Sequence, residues 1–250
     1  MSGAQACGIS TTRSHSGANS YKQNRAAGQT DACDIRYFLP SAVNTLHVRA
    51  YYWFDSATWQ YMATDPYADN DSMIHFMFTQ TALSQTGLRM NIRDGAYSSP
   101  HMDGYAFFCG QINDNEMWET RTTIHNNWNL MDHLDEWLCI EFKFVMTATT
   151  STIYTYINGT LEFTGTYADS YNYNAGGSID NVIISGYTNA PDFGALAAVF
   201  YIDDVVVADE YIGPNVNGKV NGVRADQIKK INGVYADTLS KHNGYIIQGS

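Results

Sequence analysis

The chain has 250 residues, 44% of them hydrophobic, which suits one large domain with a small appendage. Its net charge of −11, without a Lys/Arg cluster, argues against nucleic acid and anionic membrane surfaces as partners. No apolar run reaches the ~18 residues of a membrane span, and Met1–Gln5 lacks the basic-then-apolar pattern of a secretory leader.

Only 16% of residues are charged, whereas Phe, Trp and Tyr make up 14%, 18 of them tyrosines. With frequent Thr, Asn and Ser, this is the composition of an all-β extracellular or virion protein. Residues 1–35 are rich in Ser, Thr, Gly and Ala and read as loops with short edge strands. From Leu46 the pattern has period 2: Leu46, Val48, Ala50, Tyr52 and Phe54 alternate with His47, Arg49, Tyr51 and Trp53. That predicts a strand with one core face and one decorated face. Asp65–Ser72 is a polar loop. Met73–Gln80 follows as a strand, with Ile74, Phe76 and Phe78 opposite His75 and Met77. Leu88, Met90 and Ile92 alternate with Arg89, Asn91 and Arg93, and Tyr105–Ile112 is a further apolar run. Asn127–Glu136 predicts a short turn leading into the clearest strand, Trp137–Met146. Thr152–Ile157, Asn158-Gly159 and Thr160–Thr164 form a hairpin, because both positions of an Asn-Gly turn tolerate positive φ. Val182–Tyr187 and Ala197–Ala208 supply two late strands. About ten short strands with turn signals between them predict a β-sandwich.

Gly213-Pro214 marks a boundary, dividing the chain into residues 1–213 and 214–250. Beyond it, Lys219-Val220-Asn221-Gly222-Val223 recurs eleven residues later as Lys230-Ile231-Asn232-Gly233-Val234, with a degenerate copy at Lys241-His242-Asn243-Gly244-Tyr245. A glycine in every unit opposes a helix, at about 1 kcal/mol each. Two short β segments bent at Asn-Gly fit better. So short a unit has no core of its own and predicts docking or oligomerisation through Lys219, Asn221, Gly222, Lys230, Asn232, Gly233, Asn243 and Gly244. None of Cys7, Cys33, Cys109 and Cys139 forms a CxxC pair, which opposes a zinc site. Cys109 and Cys139 read as buried thiols, and the spacing leaves open whether Cys7 and Cys33 bridge.

Three segments carry a family resemblance. Ile9-Ser10-Thr11-Thr12-Arg13-Ser14-His15-Ser16-Gly17 looks like an opening strand and turn, and Trp137–Glu141 with Tyr156-Ile157-Asn158-Gly159-Thr160 like a central hairpin. Tyr201-Ile202-Asp203-Asp204-Val205-Val206-Val207 through Ile212-Gly213 looks like a closing strand. Together they resemble the concanavalin A-like lectin/glucanase superfamily, which implies a jelly-roll β-sandwich and leaves function open, since the fold hosts lectins, lyases, hydrolases and inert modules. Family members usually begin with a further acidic strand, which residues 1–8 are too short to supply. The C-terminal repeats resemble those of tailed-phage structural proteins. The two resemblances imply a virion surface fibre or decoration module, or else a secreted protein. They further imply a homo-oligomer or a partner of other virion proteins, with a glycan as its ligand.

Glycan binding needs aromatic platforms and a few polar groups. Tyr51, Trp53, Tyr154 and Tyr156, with Arg89 and Arg93, are the candidates, and Trp59, Tyr61, Trp118 and Trp128 add aromatic surface. The enzymatic alternative is a lyase acting on uronate polymers, which needs a cation at the carboxylate and an acid/base pair. Arg49, His75, Lys143 and Glu141 are the candidates for it. Gly110-Gln111-Ile112-Asn113 is similar to an alginate-lyase strand, but Asn113 stands where that motif has histidine, and Asn cannot act as a base. The spaced carboxylates of a laminarinase-type hydrolase are absent. The resemblance implies calcium near Asp203 and Asp204, and the alternating Asp69 and Asp71, with Asp65, offer a second hard-cation set.

Overall fold

The structure, a computed structural model, describes residues 7–25, 35–59, 73–80, 88–94, 106–112, 115–116, 128–147, 149–168, 178–188 and 198–214, together with the paired segments 219–220, 223–224, 230–231, 234–235, 239–242 and 245–248. Among these, thirteen strands form the body. They are β1 (Gly8–Ser10), β2 (Ser20–Arg25), β3 (Ile35–Val43), β4 (Thr45–Phe54), β5 (Met73–Gln80), β6 (Leu88–Asp94), β7 (Ala106–Ile112), β8 (Asn115–Glu116), β9 (Trp137–Met146), β10 (Thr150–Ile157), β11 (Thr160–Ala168), β12 (Ile179–Thr188) and β13 (Ala198–Ala208). A single helical turn, α1 (Ser56–Trp59), follows β4, and a 3-10 turn at Leu130–His133 leads into β9.

The strands build two antiparallel sheets. One has seven strands in the order β1-β2-β13-β4-β9-β10-β11, and the other six, β3-β12-β5-β6-β7-β8. Between them lie alternate residues of the strands whose burial is described. Leu46, Val48, Ala50, Tyr52 and Phe54 of β4 meet Leu138, Ile140, Phe142 and Phe144 of β9, and Val182 and Ile184 of β12 face them. Each fully buried Phe or Ile here contributes about 2 kcal/mol over exposure. This is a jelly-roll β-sandwich, the fold the alternation and the motifs predict.

Three features depart from the sequence reading. Strand β3 was not expected: it carries Pro40 and pairs with β12 at the border of its sheet, a place where proline is tolerated. The ladder of β5 shifts between His75 and Met77, so His75 pairs with Asn91 while Phe78 pairs with Arg89. Phe78 therefore joins the face of His75 instead of opposing it, as a bulge moves every later residue by one. The decorated face of β4 is not open, since His47, Arg49 and Tyr51 are all buried.

Cys7 is disulfide-bonded, and Cys139 is a free, buried thiol. Burial pushes the Cys139 thiol up to about 11, against the pull of Arg49, so it is protonated and inert at neutral pH. Beyond Pro214 come three hairpins: β14 (Lys219–Val220) with β15 (Val223–Arg224), β16 (Lys230–Ile231) with β17 (Val234–Tyr235), and β18 (Leu239–His242) with β19 (Tyr245–Gln248). Each is a separate two-stranded sheet, and β19 lies beside β13.

Candidate functional site

Cross-strand partners share a sheet face, so register arranges the outer face of the seven-stranded sheet in rows. Tyr201, Trp53 and Trp137 form one row, and Asp203, Tyr51 and Cys139 the next. Arg49, Glu141 and Tyr156 make a third, with His47, Lys143 and Tyr154 beside it. The chemistry expected of Arg49, Lys143 and Glu141 thus has a common face, but His75 belongs to the other sheet.

Two short segments close over this face. The first is the chain leaving β13. The Glu141 carboxylate, 1% exposed, accepts hydrogen bonds from the backbone N–H of Ile212 at 3.0 Å and of Gly213 at 2.7 Å, and its Oε1 lies 2.7 Å from His47 Nδ1. Arg49 donates to the carbonyls of Gly213 at 3.2 Å and Asp204 at 3.3 Å. Tyr211 donates to the Gly159 carbonyl at 3.1 Å, inside the β10–β11 turn. Glu141 and Arg49 therefore fasten backbone, a structural role that leaves neither placed for attack on a substrate.

The second segment is the opening motif. Asp203 Oδ2 accepts from the backbone N–H of His15 at 2.8 Å and Ser16 at 3.0 Å, while Asp204 takes His15 Nδ1 at 2.8 Å and Ser16 Oγ at 2.6 Å. Successive strand residues normally point to opposite faces. Asp204 has φ 49°, at the bulge where β13 shifts against β4, and this lets both carboxylates meet one segment. The His15 ring then stacks on Tyr51 at 3.5 Å, and the Arg13 guanidinium sits 4.4 Å above Trp53. Tyr51 and Trp53 are thus covered by the chain itself. Burial pushes Asp203 up, outweighing the N–H donors of Ser16 and His15. Burial also pushes Asp204 up, but the His15 and Ser16 hydrogen bonds with the charges of His15 and Arg49 outweigh it and hold its carboxyl below the usual range.

These carboxylates do not fit a cation. Asp203 Oδ2 already receives two N–H groups and Oδ1 the N–H of Asp204, and both Asp204 oxygens are engaged. Among the described residues no group of three His, Cys, Asp or Glu is arranged to hold a metal. Asp65, Asp69 and Asp71 lie outside the described residues. At the β11 border the face is more open. Tyr154 and Tyr156 are half-buried there, Lys143 lies 5.0 Å from the Tyr154 ring, and Tyr211 packs on Tyr156 at 5.0 Å. Burial raises the phenols of Tyr156 and Tyr211, and Glu141 adds to it. The sequence reading passed over Tyr211, which is brought near Tyr156 beside the bond between Ile212 and Glu141, residues 71 apart in the chain.

The outer face of the six-stranded sheet is different. Ile184, Met77, Met90 and Gly110 form a row that belongs to the core face, since Ile184 is in the core. The rows on the opposite face are Tyr187–His75–Asn91–Cys109, Ile183–Phe78–Arg89–Gln111 and Met73–Arg93–Phe107. His75, Arg89 and Arg93 are therefore brought onto one face, beside Asn91, Gln111 and Tyr187. Ile183 on this face is fully buried, so the face is covered at that point of β12.

Two packed antiparallel sheets, with the segments His15–Ser16 and Ile212–Gly213 fastened to the outer face of one of them, make up the jelly-roll β-sandwich that carries these rows. Among solved structures the chain is similar to one titled "Cellulose induced protein, Cip1", at 17% identity and TM-score 0.52, over 84% of this chain and 88% of that one. A GH131 beta-glucanase catalytic domain from Podospora anserina gives 10% identity and TM-score 0.44, covering 83% and 80%. The alginate lyase from Klebsiella pneumoniae gives 9% and 0.42, covering 81% and 84%. The first of these likenesses shows a shared fold. No protein-family model matches the sequence, and no curated protein matches it.

Proposed function

We propose that this protein is a glycan-binding module of a virion surface, attached through residues 214–250, with its ligand on the outer face of the six-stranded sheet. The observation that carries the site is the register that gathers Arg89, Arg93, His75, Asn91, Gln111 and Tyr187 on one face. Guanidinium and amide groups gathered along one sheet face suit sugar hydroxyls and carboxylates. The virion setting rests on the likeness of the repeats to tailed-phage structural proteins. Calorimetric titration with acidic and neutral glycan oligomers tests the reading. Arg89→Ala and Arg93→Ala should each weaken binding at least about tenfold, and Lys143→Ala on the other sheet should not. Binding that depends on Lys143, Tyr154 and Tyr156 and ignores Arg89 would move the site to the seven-stranded sheet.

A second reading, a lyase for uronate polymers, is favoured by one observation: His75 and Arg89 stand in adjacent rows. Arg89 would neutralise the carboxylate and His75 take the C5 proton as the C4–O bond breaks and the C4=C5 double bond forms, the resulting imidazolium returning that proton to the leaving oxygen. Alginate, glucuronan and heparin-like polymers should then gain the ultraviolet absorbance of unsaturated products. Flat traces on all three would end this reading.

A further inference from the structure

Charge is divided unevenly along this chain. Residues 1–214 hold nine Lys or Arg against 23 Asp or Glu, a net of −14, while residues 215–250 hold five against two, a net of +3. The basic part is the part folded as hairpins. In the first two, pairing places Lys219 opposite Arg224 and Lys230 opposite Tyr235, with Val220 opposite Val223 and Ile231 opposite Val234 next to the turn. Neighbouring pairs along a ladder fall on opposite faces, so each hairpin has one basic-side pair and one apolar pair. Strands of two residues in separate two-stranded sheets are too short to be stable alone. They need a surface that is acidic and partly apolar.

We propose that this arm is the self-association element of the protein, docking on the acidic jelly roll of a second copy. The proposal rests on reading residues 214–250 as an attachment segment and is independent of the glycan face. The jelly roll supplies the complementary charge, and exposed apolar side chains such as Phe38 and Leu161 lie on it. The chain's own geometry shows that the body accepts an arm hairpin, because β19 lies beside β13. That hairpin is the third, whose one Lys is Lys241. The stronger basic pairs belong to the first two. Every copy carries both the basic arm and the acidic body, so each can give an arm and receive one, as in exchange of identical elements between protomers.

The test is sedimentation equilibrium on the full chain. An assembly is expected at about 50 mM NaCl, with its apparent Kd rising at least about tenfold by about 500 mM, since the docking charges are exposed to salt screening. The full-length triple variant Lys219→Glu/Arg224→Glu/Lys230→Glu should be monomeric at low salt, with circular dichroism reporting an intact β body. A monomeric unaltered chain at low salt overturns self-docking, and if it still binds glycan and a different virion protein, the attachment reading stands. Association that resists salt and charge reversal but is lost in Val220→Ser/Ile231→Ser replaces docking with apolar arm-to-arm packing, and also overturns the proposal.

Discussion

At the scale of single residues, the polar groups that look most chemical hold the ends of the domain in place. Glu141 is the clearest case. A buried carboxylate satisfied by two backbone N–H groups and a histidine costs little to keep, but its removal strands all three donors in a dry layer. Glu141→Ala should lower unfolding free energy by about 3 kcal/mol in denaturant titrations. A loss under about 1 kcal/mol would mean that water replaces the carboxylate without penalty. Asp204 carries a pH signature. Its carboxyl is held below the ordinary value of about 3.9. The stability it adds is therefore present above about pH 4 and is lost as pH falls through the lower folded value. The Tm difference between the unaltered protein and Asp204→Asn should narrow below about pH 4. Widening instead would reverse the sign argued here. Asp203, raised by burial, acts in the opposite sense, because its ionisation opposes folding and acid relieves that penalty. The sequence placed Glu141 and Asp204 on strands of the right kind, but not their partners, which come from 71 and 189 residues away.

Elements were legible where local chemistry decides them. The β10–β11 hairpin follows from Asn158-Gly159, whose φ values of 50° and 87° are those an Asn-Gly turn accepts. The strand Trp137–Met146 was readable from alternation alone. The bulges at His75/Met77 and Asp203/Val206 were not, because one extra residue leaves the apolar pattern intact while exchanging faces. The same hairpin turn is also a packing surface. A Cβ on Gly159 would lie 3.0 Å from Pro214 Cδ, whereas Gly17, at φ 67°, has nothing within 4 Å. Both positions carry the backbone penalty for a side chain, about 1 kcal/mol. Gly159→Ala should therefore cost more than Gly17→Ala in thermal unfolding, by about 1 kcal/mol from the added clash. Equal losses would show that the closing segment yields freely.

For the whole molecule, the three motifs that carry the family resemblance have one physical explanation. Arg13 and His15 of the first, Glu141 and Gly159 of the second, and Asp203, Asp204, Ile212 and Gly213 of the third all lie in the closure over the seven-stranded sheet. They specify how a jelly roll is fastened, which is why they carry the architecture. The candidate glycan residues split for the same reason. Alternation could place Arg49 and Arg89 on non-core faces, but only the strand order separates those faces into different sheets. Tyr51 and Trp53 have the spacing of a sugar platform, yet the opening segment lies on them.

The clasp on Ile212 and Gly213 also sets a direction. The chain departs toward its repeats from the outer side of the seven-stranded sheet, held there by Glu141 and Arg49. The register gathers Arg89, Arg93 and His75 on the other sheet, so the clasp and that row of cationic residues belong to different layers of a single sandwich.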